Sequence, residues 1–542
     1  MRPDPVSDAS VASYFGQRPR LLVLTLIVMF ALAIGVRLQR LDAPGVLIDR
    51  DYTSAMFARA FYFAHDSTIP AWRREMATKL MMKQPTLEPP VTEWMTALIY
   101  RVAGREDIRF GRVLTIVFWL AGGALFFLLT RLLTDADAAL VALGYYLFLP
   151  LSVLLSRSFQ ADALMMLLFI GGLLAIVRYR QDRRNTTLAV AIVVSALALV
   201  YRPLVMPALV LAWVIPEMRI TGWRRALFGR ASLMFLILTT VPAFAYYGYG
   251  AFVARYFQWK LTSSFMFSLY RHPEFWREWF LIATTQLWLP ALLLGLLGLP
   301  FLTRDRSRDF VVALALGYLC FGLAFTYHIH THGYYQAQLI PAVGIALAPL
   351  TVVLIRKAFA APQGWVRVAP FIAAGIVAGV WGIEVRTALS SQTFESPTVA
   401  AEIGARVNHS DRVVFLSPFY GLPLQYLGEF TGAYWPRRIE YWLYRRRGDR
   451  ERSVSERLAA LGFEPEYFVI THFREYANHH DDLRTFLEQR CEALAVTDAY
   501  RIYGRCAGGD RRTSSSGQLG AGSPLAGSLP VASVLPGAHG RS

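Results

Sequence analysis

Long apolar runs separated by short polar hinges fill most of this chain. They fall at about 21–38, 112–133, 138–155, 163–178, 187–201, 204–216, 232–250, 281–302, 310–326, 338–355 and 368–385. A bilayer core needs roughly 20 apolar residues per helix, and only helices or closed barrels satisfy the backbone there. The pattern predicts a polytopic α-helical membrane protein with about 11 transmembrane helices, of which 204–216 is the shortest. Leu21–Leu38 is longer than the apolar region of a signal peptide and no small-residue cleavage site follows it, so it is expected to stay as a signal anchor after a short cytoplasmic N-terminus, 1–20. The transmembrane domain then covers 21–385, with a long first outer loop at 39–111.

Beyond 385 the rhythm changes. "DRVVFLS", "EYFVIT" and "AYRIYGR" read as strands, and "SVSERLAALG" and "HDDLRTFLEQRC" as helices. A small soluble α/β domain is predicted over 386–507. Residues 508–542 are mostly Gly, Ser, Pro and Ala, with too few large apolar residues to build a core, and are expected to be disordered.

Composition agrees with the pattern: 55% of residues are hydrophobic and the mean hydropathy is +0.37. The net charge of +17 would suit a nucleic-acid binder, but the arginines sit where topology demands them. With the N-terminus inside, the cytoplasmic loops carry Arg178, Arg180, Arg183 and Arg184, then Arg219, Arg224, Arg225 and Arg230, then Arg304, Arg306 and Arg308, then Arg356, Lys357 and Arg367. The short outer turns carry only Arg157 and Arg202. By the positive-inside rule the C-terminal domain lies outside, and no nucleic-acid partner is expected. Cys491 and Cys506 share that exterior region, where an oxidising compartment allows but does not require a disulfide.

On this topology polar groups gather at four outer helix mouths. In "LIDRDYTSAMFARAFYF", Asp49 and Asp51 precede Met56, Phe57, Ala60 and Phe61 at helical spacing, a pattern suited to lying along the interface; the two acids equally suit a solvated helix start. In "KQPTLEPPVTEW", Glu88 stands on a backbone stiffened by Pro89 and Pro90. In "SRSFQADALMM", Arg157 and Asp162 flank a helix start, where an acid also serves as an ordinary first-turn residue. Arg202 occupies a tight outer turn, a depth at which arginine usually has a partner. The last mouth reads "HIHTHGYYQAQLIP", with His332, Tyr334 and Tyr335. Acids, cations and aromatic groups on one face suit a reaction between an anionic lipid headgroup and a hydroxyl compound: cations hold phosphate and a carboxylate takes a proton.

These stretches resemble the membrane glycosyltransferases of the GT-C fold, in the clan of protein O-mannosyltransferases and aminoarabinose transferases, and among them the bacterial family-39-like members. "SAMFAR" matches a first-loop pattern, Glu88-Pro89-Pro90 an acid–proline motif, "RSFQAD" a turn motif that usually has proline at Ala161, and "HGYYQAQLIP" a late-helix motif. The likeness runs over roughly 20–350. Many clan members have Asp-Glu where this chain has Asp49-Arg50-Asp51. The resemblance implies an inverting glycosyltransferase in the bacterial inner membrane. Its donor would be a polyprenyl-phosphate-linked sugar and its acceptor a glycan, lipid or protein hydroxyl, met on the outer face among membrane lipids. Asp49 or Asp51 would be the general base, Asp51 preferred because it lies nearer the amphipathic helix, with Glu88 beside them. Arg50, Arg59, Arg157, Asp162, Arg202, His332, Tyr334 and Tyr335 would bind substrate; His328 and His330 would only end a helix. Some such enzymes hold a divalent metal ion with their acids, which the residues alone leave open. The rival readings are a transporter or flippase of a lipid-linked precursor, which should show polar midplane helices or a repeat, and a passive anchor for the α/β domain.

Overall fold

The computed structural model describes residues 13–43, 47–85, 88–256, 264–302, 307–390, 396–438, 440–441 and 452–506. The predicted disordered tail at 508–542 lies outside them, as do Arg304 and Arg306. Each of the eleven apolar segments falls on helix. By length and apolar composition, seven described helices suffice to cross a membrane, or up to nine if each of two bent pairs is one span, with Asn185–Tyr201 and Asp309–Ala324 shorter. The chain is a multi-pass membrane protein with a small C-terminal sheet domain.

Helix boundaries follow local chemistry. Helix α1 is Pro19–Leu38, and the first loop holds three helices: α2 (Ile48–Phe63), α3 (Ala71–Met82) and α4 (Val91–Ala103). Gly104 ends α4 in the left-handed conformation, and Asp107 caps α5 (Ile108–Leu133) by accepting from the Arg109 amide. Asp135 caps α6 (Ala136–Phe148) in the same way. The predicted span 138–155 is bent by 59° between α6 and α7 (Pro150–Ser156), because proline has no N–H to continue the ladder. Buried Arg37 of α1 secures that bend by donating to the Leu147 carbonyl at 2.8 Å and to Ser156 Oγ at 2.7 Å. The predicted span 281–302 is not one rod: Pro273–Gln286 and Leu289–Phe301 meet at 88°. Trp288 at the break has φ +66° and Pro290 follows it. The segment predicted at 204–216 extends through Thr221. It crosses Asp309–Ala324 so closely that a Cβ on Gly317 would stand 2.3 Å from the Ala208 Cα, so the crossing requires glycine.

Several arginines of the basic end also make ion pairs. Arg183 grips Glu217 with both terminal nitrogens at 2.8 and 3.0 Å. Asp137, at the start of α6, takes hydrogen bonds from Ser13 and from the Tyr14 and Phe15 amides and is paired with Arg356. These contacts tie the N-terminal segment to the same end of the bundle.

The C-terminal domain holds a five-stranded sheet in the order β2-β1-β3-β5-β4. Its strands are β1 (Val413–Leu416), β2 (Gly432–Tyr434), β3 (Tyr467–Ile470), β4 (Glu492–Val496) and β5 (Arg501–Gly504). The first three are mutually parallel, and β5 runs antiparallel to β3 and β4. Strands β1, β3 and β5 are the predicted ones. Strand β2 is three residues long and β4 is an exposed edge, so neither shows a clear apolar alternation. Cys491 and Cys506 form a disulfide that joins the start of β4 to the residues after β5.

The expectation that α2 lies along the lipid interface is corrected. Met56, Ala60 and Phe63 are buried, and they share one core with Tyr420, Leu422 and Tyr426 of the C-terminal domain. Arg73 pairs with Glu429 and Lys79 with Asp411 across the same boundary. Thus α2 is covered by the C-terminal domain on one side and by α4 on the other.

Candidate active site

The first turn of α2 presents three charged residues to three different surroundings. Asp51 is fully buried. Arg112 of α5 donates to its Oδ2 from two nitrogens, at 2.8 and 3.1 Å, and the Phe159 amide donates to its Oδ1 at 2.7 Å. Both oxygens are therefore already engaged by donors. Asp49, two residues earlier, is half-buried. Burial raises its pKa above the ordinary carboxylate range, and Arg50 pulls the other way. Burial works against the charge on Arg50, but Tyr334, Glu88, Tyr335 and Asp49 hold it firmly protonated.

Four stretches far apart in the chain converge here. Arg50, Thr53, Phe57, Glu88, Glu93 and Gln160 line a cleft of about 420 Å³, counting the space open to solvent. Arg202 pairs directly with Asp162 at the start of α8 (Asp162–Asp182) and lies 3.5 Å from Glu88. Its extended backbone, φ −151° and ψ 109°, ends α9 (Asn185–Tyr201) and turns the guanidinium back over α8. Glu93 takes a hydrogen bond from Ser54 Oγ at 2.7 Å, and burial pushes its pKa up to about 7. Both amide atoms of Gln160, and Asp162 Oδ2, are buried without a hydrogen-bond partner among the described residues. Such groups are costly unless something supplies a partner.

The turn at Thr331–Pro341 folds as a short 3-10 helix, Gly333–Leu339, with His332 just before it. Its amides fix it in place. Gln336 donates to the Ile329 carbonyl at 3.0 Å and accepts from Tyr318, while Gln338 donates to the Tyr335 carbonyl at 3.2 Å. That frame presents a cluster of rings: His332 lies 5.5 Å from Tyr334, 5.9 Å from Tyr335 and 6.1 Å from Tyr327, centre to centre. His328 packs into the cluster, 5.4 Å from His332. His330 sits at its edge, its Nδ1 2.7 Å from the Thr326 carbonyl and its ring against Phe275.

The structure brings Asp49, Arg50, Glu88, Asp162, Arg202, Tyr334 and Tyr335 to one place, with His332 behind the tyrosines. It does not bring Arg59 or Arg157 there. Arg59 is turned towards the C-terminal domain, where it meets Glu106 at 2.8 Å, the Tyr426 carbonyl at 2.5 Å and the Tyr426 ring at 3.6 Å. Arg157 donates to the Arg40 carbonyl at 2.8 Å and stands near Arg112 and Asp51. Sequence reasoning missed Glu93, whose helix position five residues after Glu88 was a usable signal. It also missed Arg112, which no local pattern marks. Among the described residues no three His, Cys, Asp or Glu side chains come together as a metal site.

A family model described as dolichyl-phosphate-mannose-protein mannosyltransferase matches residues 87–247, less than a third of the chain. No curated protein matches it significantly in sequence. Among solved structures, ArnT from Cupriavidus metallidurans bound to undecaprenyl phosphate is 13% identical with a TM-score of 0.53, covering 89% of this chain and 98% of that one. The archaeal oligosaccharyltransferase AglB from Archaeoglobus fulgidus, in complex with an inhibitory peptide and a dolichol-phosphate, is 11% identical with a TM-score of 0.52, covering 85% and 70%. The chain has a GT-C fold.

Proposed function

We propose that this chain transfers a sugar from a polyprenyl-phosphate donor to a hydroxyl group of a glycan, lipid or protein, with inversion at the anomeric carbon. The observation that supports the reading is the gathering of Asp49, Glu88, Tyr334 and Tyr335 around Arg50, with Arg202 beside it, on a GT-C fold. Asp49 accepts the proton of the acceptor hydroxyl as its oxygen attacks the anomeric carbon. The carbon–oxygen bond to phosphate breaks, and its electron pair leaves with the polyprenyl phosphate. Negative charge grows on that phosphate in the transition state, where Arg50 and Arg202 are held ready for it. Glu88, Asp162 and Gln160 are placed to orient the sugar. The base is Asp49 rather than Asp51, because both Asp51 oxygens are engaged by Arg112 and Phe159. Purified protein given a labelled polyprenyl-phosphate sugar and an envelope extract should release polyprenyl phosphate and label an acceptor. Movement of the lipid across a liposome bilayer without sugar transfer would establish the flippase instead.

His332 supports Tyr334 and Tyr335 beside the donor, whereas His330 is bonded to its own helix. His332→Ala should therefore lower donor affinity or rate by up to about tenfold, the worth of ring contacts of about 0.5–1.5 kcal/mol, with little change for His330→Ala. Equal small effects in the same assay would reduce the turn to a polar hinge.

The same reading puts the cleft on the outer face of the bacterial inner membrane, with the C-terminal domain outside. In a Cys320→Ser background, Ala405→Cys should react with an impermeant thiol reagent on intact cells and Gln181→Cys should not. The reverse pattern would remove the outer-face site.

A further inference from the structure

The turn Pro418–Gly421 follows β1 in the C-terminal domain and has an uncommon backbone. Phe419, Tyr420 and Gly421 have φ values of +51°, +58° and +65° in succession. Two non-glycine residues side by side in the left-handed region are strained, and such strain persists only where the surroundings impose it. Here the effect is to turn Tyr420 out of its own domain. Its ring packs into the core that contains Ile48 and Tyr52, on either side of Asp49 in α2. Arg437, just after β2, lies over the ring at 5.4 Å, and Tyr434 meets it edge-on at 5.3 Å.

The Tyr420 hydroxyl is buried and without a hydrogen-bond partner among the described residues. A buried phenol normally finds a partner. Burial and the charge of Glu440 raise its pKa, Arg437 opposes them, and the Asp49 charge is close enough to add to the rise, with Tyr327 also nearby. Tyr327 in turn touches His332. A phenol from the C-terminal domain thus stands between the proposed base and the ring cluster of the membrane domain.

The topology of the sheet makes the same point. β1 and β3 are parallel neighbours, and the chain leaves the carboxyl end of β1 towards β2 on one side and that of β3 towards β4 on the other. In open α/β sheets the crevice beyond such strand ends is where ligands bind. Tyr420 follows β1 and Arg437 follows β2, so the binding edge of this sheet is turned towards Asp49.

We propose that Tyr420 is an acceptor-binding residue, its phenol hydrogen-bonding the incoming hydroxyl compound beside Asp49, so that the C-terminal domain forms the acceptor wall of the cleft. This rests on the glycosyl-transfer reading above and adds to it which part of the chain selects the acceptor. Arg437 holds the ring from behind, and Arg50 and Arg202 serve the donor on the other side.

The test uses the full chain and its Tyr420→Phe variant, which keeps the ring and removes one oxygen. The acceptor pool is an envelope fraction from cells lacking the protein, and the donor-side probe is undecaprenyl phosphate. Tyr420→Phe should raise the amount of envelope fraction needed for half-maximal transfer about tenfold, the worth of one buried hydrogen bond. It should leave undecaprenyl phosphate affinity and melting temperature unchanged. Unaltered half-saturation in an active variant would overturn the proposal, and so would a parallel loss of undecaprenyl phosphate binding. A wild-type protein that neither binds undecaprenyl phosphate nor transfers sugar would sink the reading of the whole site, Tyr420 included.

Discussion

Asp49→Asn should reduce sugar transfer by about 10²–10⁴-fold, the usual range for losing a positioned general base, while the protein stays folded and still binds polyprenyl phosphate. The amide keeps the shape of the carboxylate and cannot take the acceptor proton. Asp49 is half-buried, so removing its charge leaves no strongly unsatisfied partner: Arg50 retains Glu88, Tyr334 and Tyr335 around it. The base works unprotonated and burial has raised its pKa. Transfer by the wild type should therefore fall away on acidification at a higher pH than an ordinary carboxylate would dictate. A fully active Asp49→Asn protein would remove Asp49 from the mechanism. Loss of activity in Asp51→Asn with an unchanged melting temperature would return the role to Asp51.

Arg112→Ala should instead act on the fold. Asp51 is completely buried and takes two hydrogen bonds from Arg112 and one from the Phe159 amide. Breaking a buried pair from one side leaves an uncompensated charge and typically costs about 3–5 kcal/mol, a large share of the stability of any domain. The expected result is a lowered thermal midpoint in detergent and a poor yield of monodisperse protein. The double variant Asp51→Asn/Arg112→Gln, which removes both charges together, should recover a large part of the loss, because contacting residues are not additive. Equal midpoints for wild type and Arg112→Ala would mean that the pair contributes nothing net.

The opposite fates of these two aspartates mark where a sequence can be read and where it cannot. Apolar runs in the sequence located the long apolar helices, since a bilayer imposes length and composition locally. They could not show that Pro150 bends one segment or that Trp288 and Pro290 break another, because a helix tolerates proline wherever neighbours make good the missing bonds. At the site, sidedness brought the right mouths together: Glu88, Asp162, Arg202 and the Tyr334–Tyr335 pair do meet. Proximity along the chain favours Asp51, whereas contacts distant in the chain favour Asp49 in the proposed mechanism. The deciding partners, Arg112 and the Phe159 amide, are 61 and 108 residues away. Arg59 was misplaced for the same reason: its partner Tyr426 belongs to a domain that local patterning treats as separate.

That separation in the chain sets a timetable for assembly. Arg59 and Tyr426 are 367 residues apart. At a synthesis rate of about 5–20 residues per second, α2 emerges roughly 20–70 s before the domain that covers it has been made. Throughout that interval Tyr52, Met56 and Phe63 have no finished core to enter. The headgroup layer is the surface at hand, and Met56, Phe57, Ala60 and Phe61 are the apolar groups α2 can offer it. The helix can wait there as a nascent-chain guest of the lipid and be lifted off when the last strands close over it.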